Sequence, residues 1–190
     1  MPKVALIVGS LRRDSINRTL ALALRKLARP KLDLHIVEIG DLPLYNQDLE
    51  AELPAPVTRF KREIESADAL VFVTPEYLRS VPAALKNAIE WGARPWGQNS
   101  WAGKPGAIVG ASIGAIGTAV AQSHLRSIAP VLEIELISQP EIYLALRPGL
   151  IGEDGAILDD GLRTLLLSWV DRFAGWIARV QPTRGLAHAS

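Results

Sequence analysis

The sequence predicts a three-layer, doubly wound α/β fold around a five-stranded parallel sheet. Short apolar runs alternate along the chain with segments of helical period. The strongest runs, VALIV at 4–8 and ALVFVT at 69–74, are apolar but for the closing Thr74, as central parallel strands buried on both faces are. No internal repeat and no long linker divides the 190 residues, a length that suits one domain with a full core. Residues 1–180 are read as that domain, and the small, polar QPTRGLAHAS at 181–190 as a disordered tail.

The elements follow in order. Lys3–Val8 is the first strand. Residues 17–27 place Leu20, Leu24 and Leu27 at helical spacing. Residues 32–38 alternate Leu32, Leu34 and Ile36 with polar neighbours, as a half-buried or edge strand does. Residues 57–66 form a charged amphipathic helix, and 69–74 the third strand. The helix at 82–91 opens on Pro82, where a missing N–H matters little. A short strand at 106–110, a helix at 118–128 and a last strand at 133–137 complete the sheet. The helix at 162–177 carries Leu162, Leu166, Trp169, Phe173 and Ile177 on one face, a stripe that belongs in a core.

Composition excludes several functions. The net charge of +1, from 21 basic and 20 acidic residues, leaves no electrostatic footprint for nucleic acid or a membrane surface. The lack of cysteine excludes disulfides, thiolate metal sites and cysteine nucleophiles, and suits a cytoplasmic location. His35, His124 and His188 lie too far apart to form a metal-ligand spacing. VALIV is too short for a signal sequence, and no apolar run approaches the ~20 residues of a membrane helix.

In open α/β sheets, ligands sit outside the carboxyl ends of the strands. Three loops there have unusual composition. VGSLRRDSIN, at 8–17, places Ser10, Arg12, Ser15 and Asn17 where a helix begins. Its free amides, its dipole end and Arg12 suit a terminal phosphate. The loop has neither the G-K-[ST] of a Walker loop nor the later glycines of a dinucleotide fingerprint. The plainer alternative is a helix start capped by Ser15. In the second loop, Pro75 stiffens the chain, and Glu76 and Tyr77 can lay backbone and a ring along a flat heteroaromatic ligand. The alternative is an ordinary βα loop with a surface tyrosine. In the third loop, GASIGAIGT at 110–118, small residues let backbone approach a flat ligand. It also fits a nucleophile elbow with Ser112, completed by Asp154, Asp159 or Asp160 and by His188. A dinucleotide cradle is the third reading of this loop.

Together, GSLRRDSIN, PEYLRSVPAALKNAIEW and GASIGAIGTAVAQSHLR resemble the NADPH-dependent FMN reductase family, and within it the chromate and quinone reductase branch. The resemblance runs from Lys3 to about Ile177. It implies a flavodoxin-like sheet in the order 2-1-3-4-5, bound FMN, and NADPH or NADH as co-substrate. The implied acceptors are small molecules: quinones, flavins, azo compounds or oxidised metal ions such as chromate. By this resemblance Ser10, Arg12, Ser15 and Asn17 hold the FMN phosphate. Pro75, Glu76, Tyr77 and Leu78 run beside the ring, and Ser112 and Gly114 lie near its other edge. The family most often has asparagine where this chain has Leu78. The cofactor carries the chemistry, so no catalytic side chain is named. Two rivals stand beside this reading. One is a serine hydrolase at Ser112. The other is a flavodoxin-type electron carrier, against which the balanced charge argues.

The resemblance also implies a homodimer or homotetramer. The segment 92–105 carries Trp96 and Trp101, which a long free loop would leave in water. Both are expected at a subunit contact, together with the helix at 82–91.

Overall fold

In the computed structural model, which describes residues 1–147, 149–152 and 154–187 with side chains described to Gln181, the pleat divides the core in two. Strands β1 (Lys3–Val8), β2 (Asp33–Val37), β3 (Ala69–Val73) and β4 (Pro105–Ser112) pair in parallel in the order β2-β1-β3-β4. Val4, Leu6, Val71 and Val109 point to one face, where α1 (Ile16–Ala28) and α5 (Asp160–Ala187) cover them through Leu20, Leu24, Trp169 and Phe173. Ala5, Ile7, Leu70, Phe72 and Ile108 point to the other. There α2 (Ala55–Ser66), α3 (Ala83–Ala93) and α4 (Ala119–Ile128) cover them through Phe60, Ile64, Leu85 and Leu125. The fully buried runs on β1 and β3 thus meet helices on both sides.

The fifth sheet position differs from the expected strand at 133–137. It is shared by β5 (Glu135–Leu136), which pairs with Pro105–Gly106, and β6 (Ile142–Ala145), which pairs with Val109–Ser112. Residues 138–141 leave the sheet between them. Pro140 has no N–H to offer a ladder there, and the chain rejoins β4 only at Ile142. At the C-terminal end, α5 runs to Ala187, past the Val180 at which the sequence reading placed the start of the tail.

The segment after α3 treats its tryptophans differently. Trp101 is fully buried, edge-on to Phe60, and donates its indole N–H to the Ile89 carbonyl at 3.1 Å. A Cβ on Gly92 would lie 2.3 Å from the Trp101 ring, so that position requires glycine. The expectation of Trp101 at a subunit contact is therefore corrected: the ring fills its own domain. Trp96 is 88% exposed. Its loop is pinned by the buried Lys61, whose ammonium donates to the carbonyls of Arg94 at 2.8 Å and Gln98 at 2.7 Å. Burial pushes the Lys61 pKa below its ordinary value, although the nearby Glu65 opposes this.

Candidate functional site

Strands β1, β3 and β4 end side by side, and the loops that follow them enclose a cavity of about 340 Å³. Of the residues singled out in the sequence, Ser10, Arg12, Ser15, Asn17, Pro75, Glu76, Tyr77 and Ser112 line it. Leu78 and Gly114 stand outside the lining. Asp14, Ile16, Ala111 and Ile113 line it and were not singled out, although all four lie inside or beside the quoted motifs.

The loop after β1 is anchored before it can bind anything. Ser15 is the N-cap of α1, and its Oγ accepts the Arg18 N–H at 3.2 Å. Capping engages only an oxygen lone pair, so the Ser15 O–H can still donate to an acceptor in the cavity. Among the described residues, Arg12 pairs with no carboxylate.

Asn17 has a structural bond that the sequence did not announce. Its Nδ2 donates to the Ala111 carbonyl at 2.8 Å, and its Oδ1 accepts the Ala111 N–H at 2.9 Å. The topology explains this. Val109 faces β3 and accepts the Thr74 N–H, and Ala111, two residues on, faces the same way after β3 has ended. The Asn17 amide stands in for the missing strand. Its side chain braces the scaffold with one of its two Nδ2 hydrogens, and the other is left for an acceptor in the cavity that Asn17 lines.

The loop after β3 is anchored by Glu76. Its Oε2 accepts the N–H groups of Val120 at 3.0 Å and Ala121 at 3.1 Å. That carboxylate caps α4, whose own N-cap residue, Thr118, makes no side-chain cap. Tyr77 reaches across to Ser10, with their hydroxyls 3.2 Å apart. Tyr77 and Ser80 then exchange both backbone hydrogen bonds, at 3.2 and 3.0 Å, around Leu78 and Arg79. Both central residues are left-handed, with φ of +48° and +61°, which makes this a tight hairpin of the type that favours Asn-Gly. A left-handed non-glycine residue costs roughly 1–2 kcal/mol, and Leu78 bears that strain while its side chain is 100% exposed.

The third loop is shaped by packing. A Cβ on Gly110 would fall 2.1 Å from Thr118 Oγ1 and 2.4 Å from the Thr74 carbonyl, so glycine there serves the fold. Ser112 Oγ accepts the Gly114 N–H at 3.0 Å, a local turn. The aspartates weighed for a hydrolase have other places in the fold. Asp154 pairs with Lys26 at 2.8 Å, Asp159 caps α5 through the Leu162 N–H at 2.7 Å, and Asp160 lies in the first turn of α5. His188 lies outside the described residues.

Comparison with known proteins agrees with this geometry. A family model described as NADPH-dependent FMN reductase matches residues 2–147. The chain belongs to the NADPH-dependent FMN reductase family. Its relatives include a 2-hydroxy-1,4-benzoquinone reductase from a Burkholderia species, 50% identical over 175 residues, covering 92% of this chain and 96% of the relative. A quinone reductase from Pseudomonas putida is 52% identical over 176 residues, covering 92% and 94%. Among solved structures, FerB from Paracoccus denitrificans, a flavoenzyme NAD(P)H:(acceptor) oxidoreductase, superposes with a TM-score of 0.91. It is 45% identical, and the match covers 94% of this chain and 98% of that one. As a member of this family the chain is an enzyme with FMN as cofactor and NAD(P)H as co-substrate.

Proposed function

We propose that this FMN reductase passes electrons from NADPH or NADH to quinones. The observation that carries this reading is the cavity itself. It presents Arg12, two serine hydroxyls and the N-terminus of α1 in one loop, and the Tyr77 ring and hairpin backbone in another. That is the polarity FMN requires: charge-assisted donors for a phosphate monoester and a flat wall for a ring.

In this reading Ser10, Arg12, Ser15 and the first amides of α1 hold the phosphate, and Asn17 holds the loop that carries them. Backbone from Glu76 to Leu78 runs along the ring, where its N–H groups stabilise negative charge. The loop between Ser112 and Gly114 closes the other edge. The chemistry that FMN supplies when bound is reversible hydride uptake at its ring. The names of the relatives favour quinones over azo compounds or chromate as acceptors. No described helix is long and apolar enough to cross a membrane. The absence of cysteine supports a cytoplasmic setting. Trp96, held outward on a pinned loop, supports a homodimer through that loop and α3.

The test is the visible spectrum of the purified protein. A yellow protein whose absorbance NADPH bleaches without oxygen, and a quinone restores, is the expected result. Initial rates against NADPH at several quinone concentrations should give parallel lines, because donor and acceptor use one face in turn. A colourless chain that takes up no added FMN overturns the reading. Sedimentation at assay concentration should give a dimer, and a fully active monomer removes the assembly part alone.

A further inference from the structure

Among the described residues, the left-handed non-glycine positions are Leu78, Arg79 and Glu133, and Leu78 alone of them is apolar. Glu133 follows a short 3-10 helix and donates its N–H to the carbonyls of Ala129 and Pro130, so its conformation has a local use. Leu78 serves the hairpin closed by Tyr77 and Ser80, but its apolar side chain adds nothing to that turn. Its turn would form with less strain around asparagine or glycine, and its side chain touches solvent on all sides. It sits one residue beyond Tyr77, which lines the cavity. Ile113, on the loop after β4, also lines the cavity and is 88% exposed. Leu11, on the loop after β1, is exposed too. Each of the three loops that make the cavity therefore raises an apolar side chain at or beside it. The groups that suit an anion, Ser10, Arg12 and Ser15, belong to one loop.

We propose that Leu78 and Ile113 form an apolar collar that holds the ring of the electron acceptor and selects apolar quinones over charged ones. The proposal rests on the reductase reading above and adds the residues that set acceptor choice. An uncharged fused ring gains by covering both side chains. A sulfonated ring brings its charge against them and must stay hydrated.

The experiment uses oxidised FMN-loaded enzyme without nicotinamide. Calorimetric titration gives dissociation constants for an apolar naphthoquinone and its sulfonated analogue, in the wild type, Leu78→Asn and Leu78→Met. The wild type should prefer the apolar quinone. Losing part of a leucine contact should shrink that preference about five- to tenfold in Leu78→Asn. Leu78→Met should keep it within about twofold, since methionine offers similar apolar surface. Leu78→Asn should melt no lower than the wild type, because asparagine tolerates the left-handed turn. An unchanged preference in Leu78→Asn overturns the collar while leaving the reductase reading intact. So does a shift of Leu78→Asn toward monomer in sedimentation, which would assign Leu78 to a second copy of the chain. A wild-type chain that fails to load FMN overturns both together.

Discussion

In the loop after β1, Asn17 is engaged with the Ala111 peptide while Arg12 pairs with no carboxylate among the described residues; in the loop after β3, Glu76 is engaged with the amides of α4 while Leu78 stands in solvent. Each loop thus combines one buried polar anchor with one uncommitted side chain. The anchors bond to elements far along the chain, so the cavity walls are held by β4 and α4 rather than by the loops alone. The uncommitted residues differ in kind, a guanidinium in one loop and an apolar chain in the other. Rigid support thus falls to one residue of each motif, and a neighbour in the same motif is left uncommitted.

This division can be broken by substitution. The largest effect is expected from Asn17→Ala, which leaves both polar groups of the buried Ala111 peptide without a partner. It should lower unfolding free energy by about 2–4 kcal/mol, from two lost buried bonds. Urea denaturation measures it, and a loss under about 0.5 kcal/mol would remove the bracing role. Next is Arg12→Ala, which should leave the urea midpoint in place and weaken FMN binding about 10- to 150-fold, from a charge-assisted bond of roughly 1.5–3 kcal/mol. Riboflavin, which has no phosphate, should bind both proteins alike. Equal losses for the two flavins would show that Arg12 does not meet the phosphate. The smallest is Glu76→Gln, which keeps an acceptor over α4 but removes the charge at its N-terminus. About 0.5–1 kcal/mol of stability should go, shrinking further in high salt if the dipole account holds.

Much of this architecture was legible in the sequence. The buried runs at β1 and β3 and the stripe on α5 are local patterns, and they located the sheet and its layers. The three loops were legible because unusual side chains cluster where strands end. What was not legible depends on partners distant in the chain. The bracing role of Asn17 is invisible until Ala111, 94 positions away, is seen beside it. Glu76 reads as a loop residue until α4 arrives on top of it. Trp96 and Trp101 look alike in a list of aromatics, and only the groove over Gly92 separates the buried ring from the exposed one. The hairpin at Leu78 gave no signal because its residues are the wrong ones for its turn. β6 was missed because four residues after a proline carry too little periodicity to declare a strand.

The divided fifth position has a consequence for behaviour in a crowded solution. A parallel sheet has two open borders, and an uninterrupted apolar border can template pairing with another chain. Here one border is β5 and β6, of two and four residues, with Pro140 in the gap. The other is β2, five residues long, with Asp33 and His35 among them. Neither offers a long, flat, donor-complete ledge. The same break that hid a strand from the sequence reading protects the native protein against edge-to-edge aggregation.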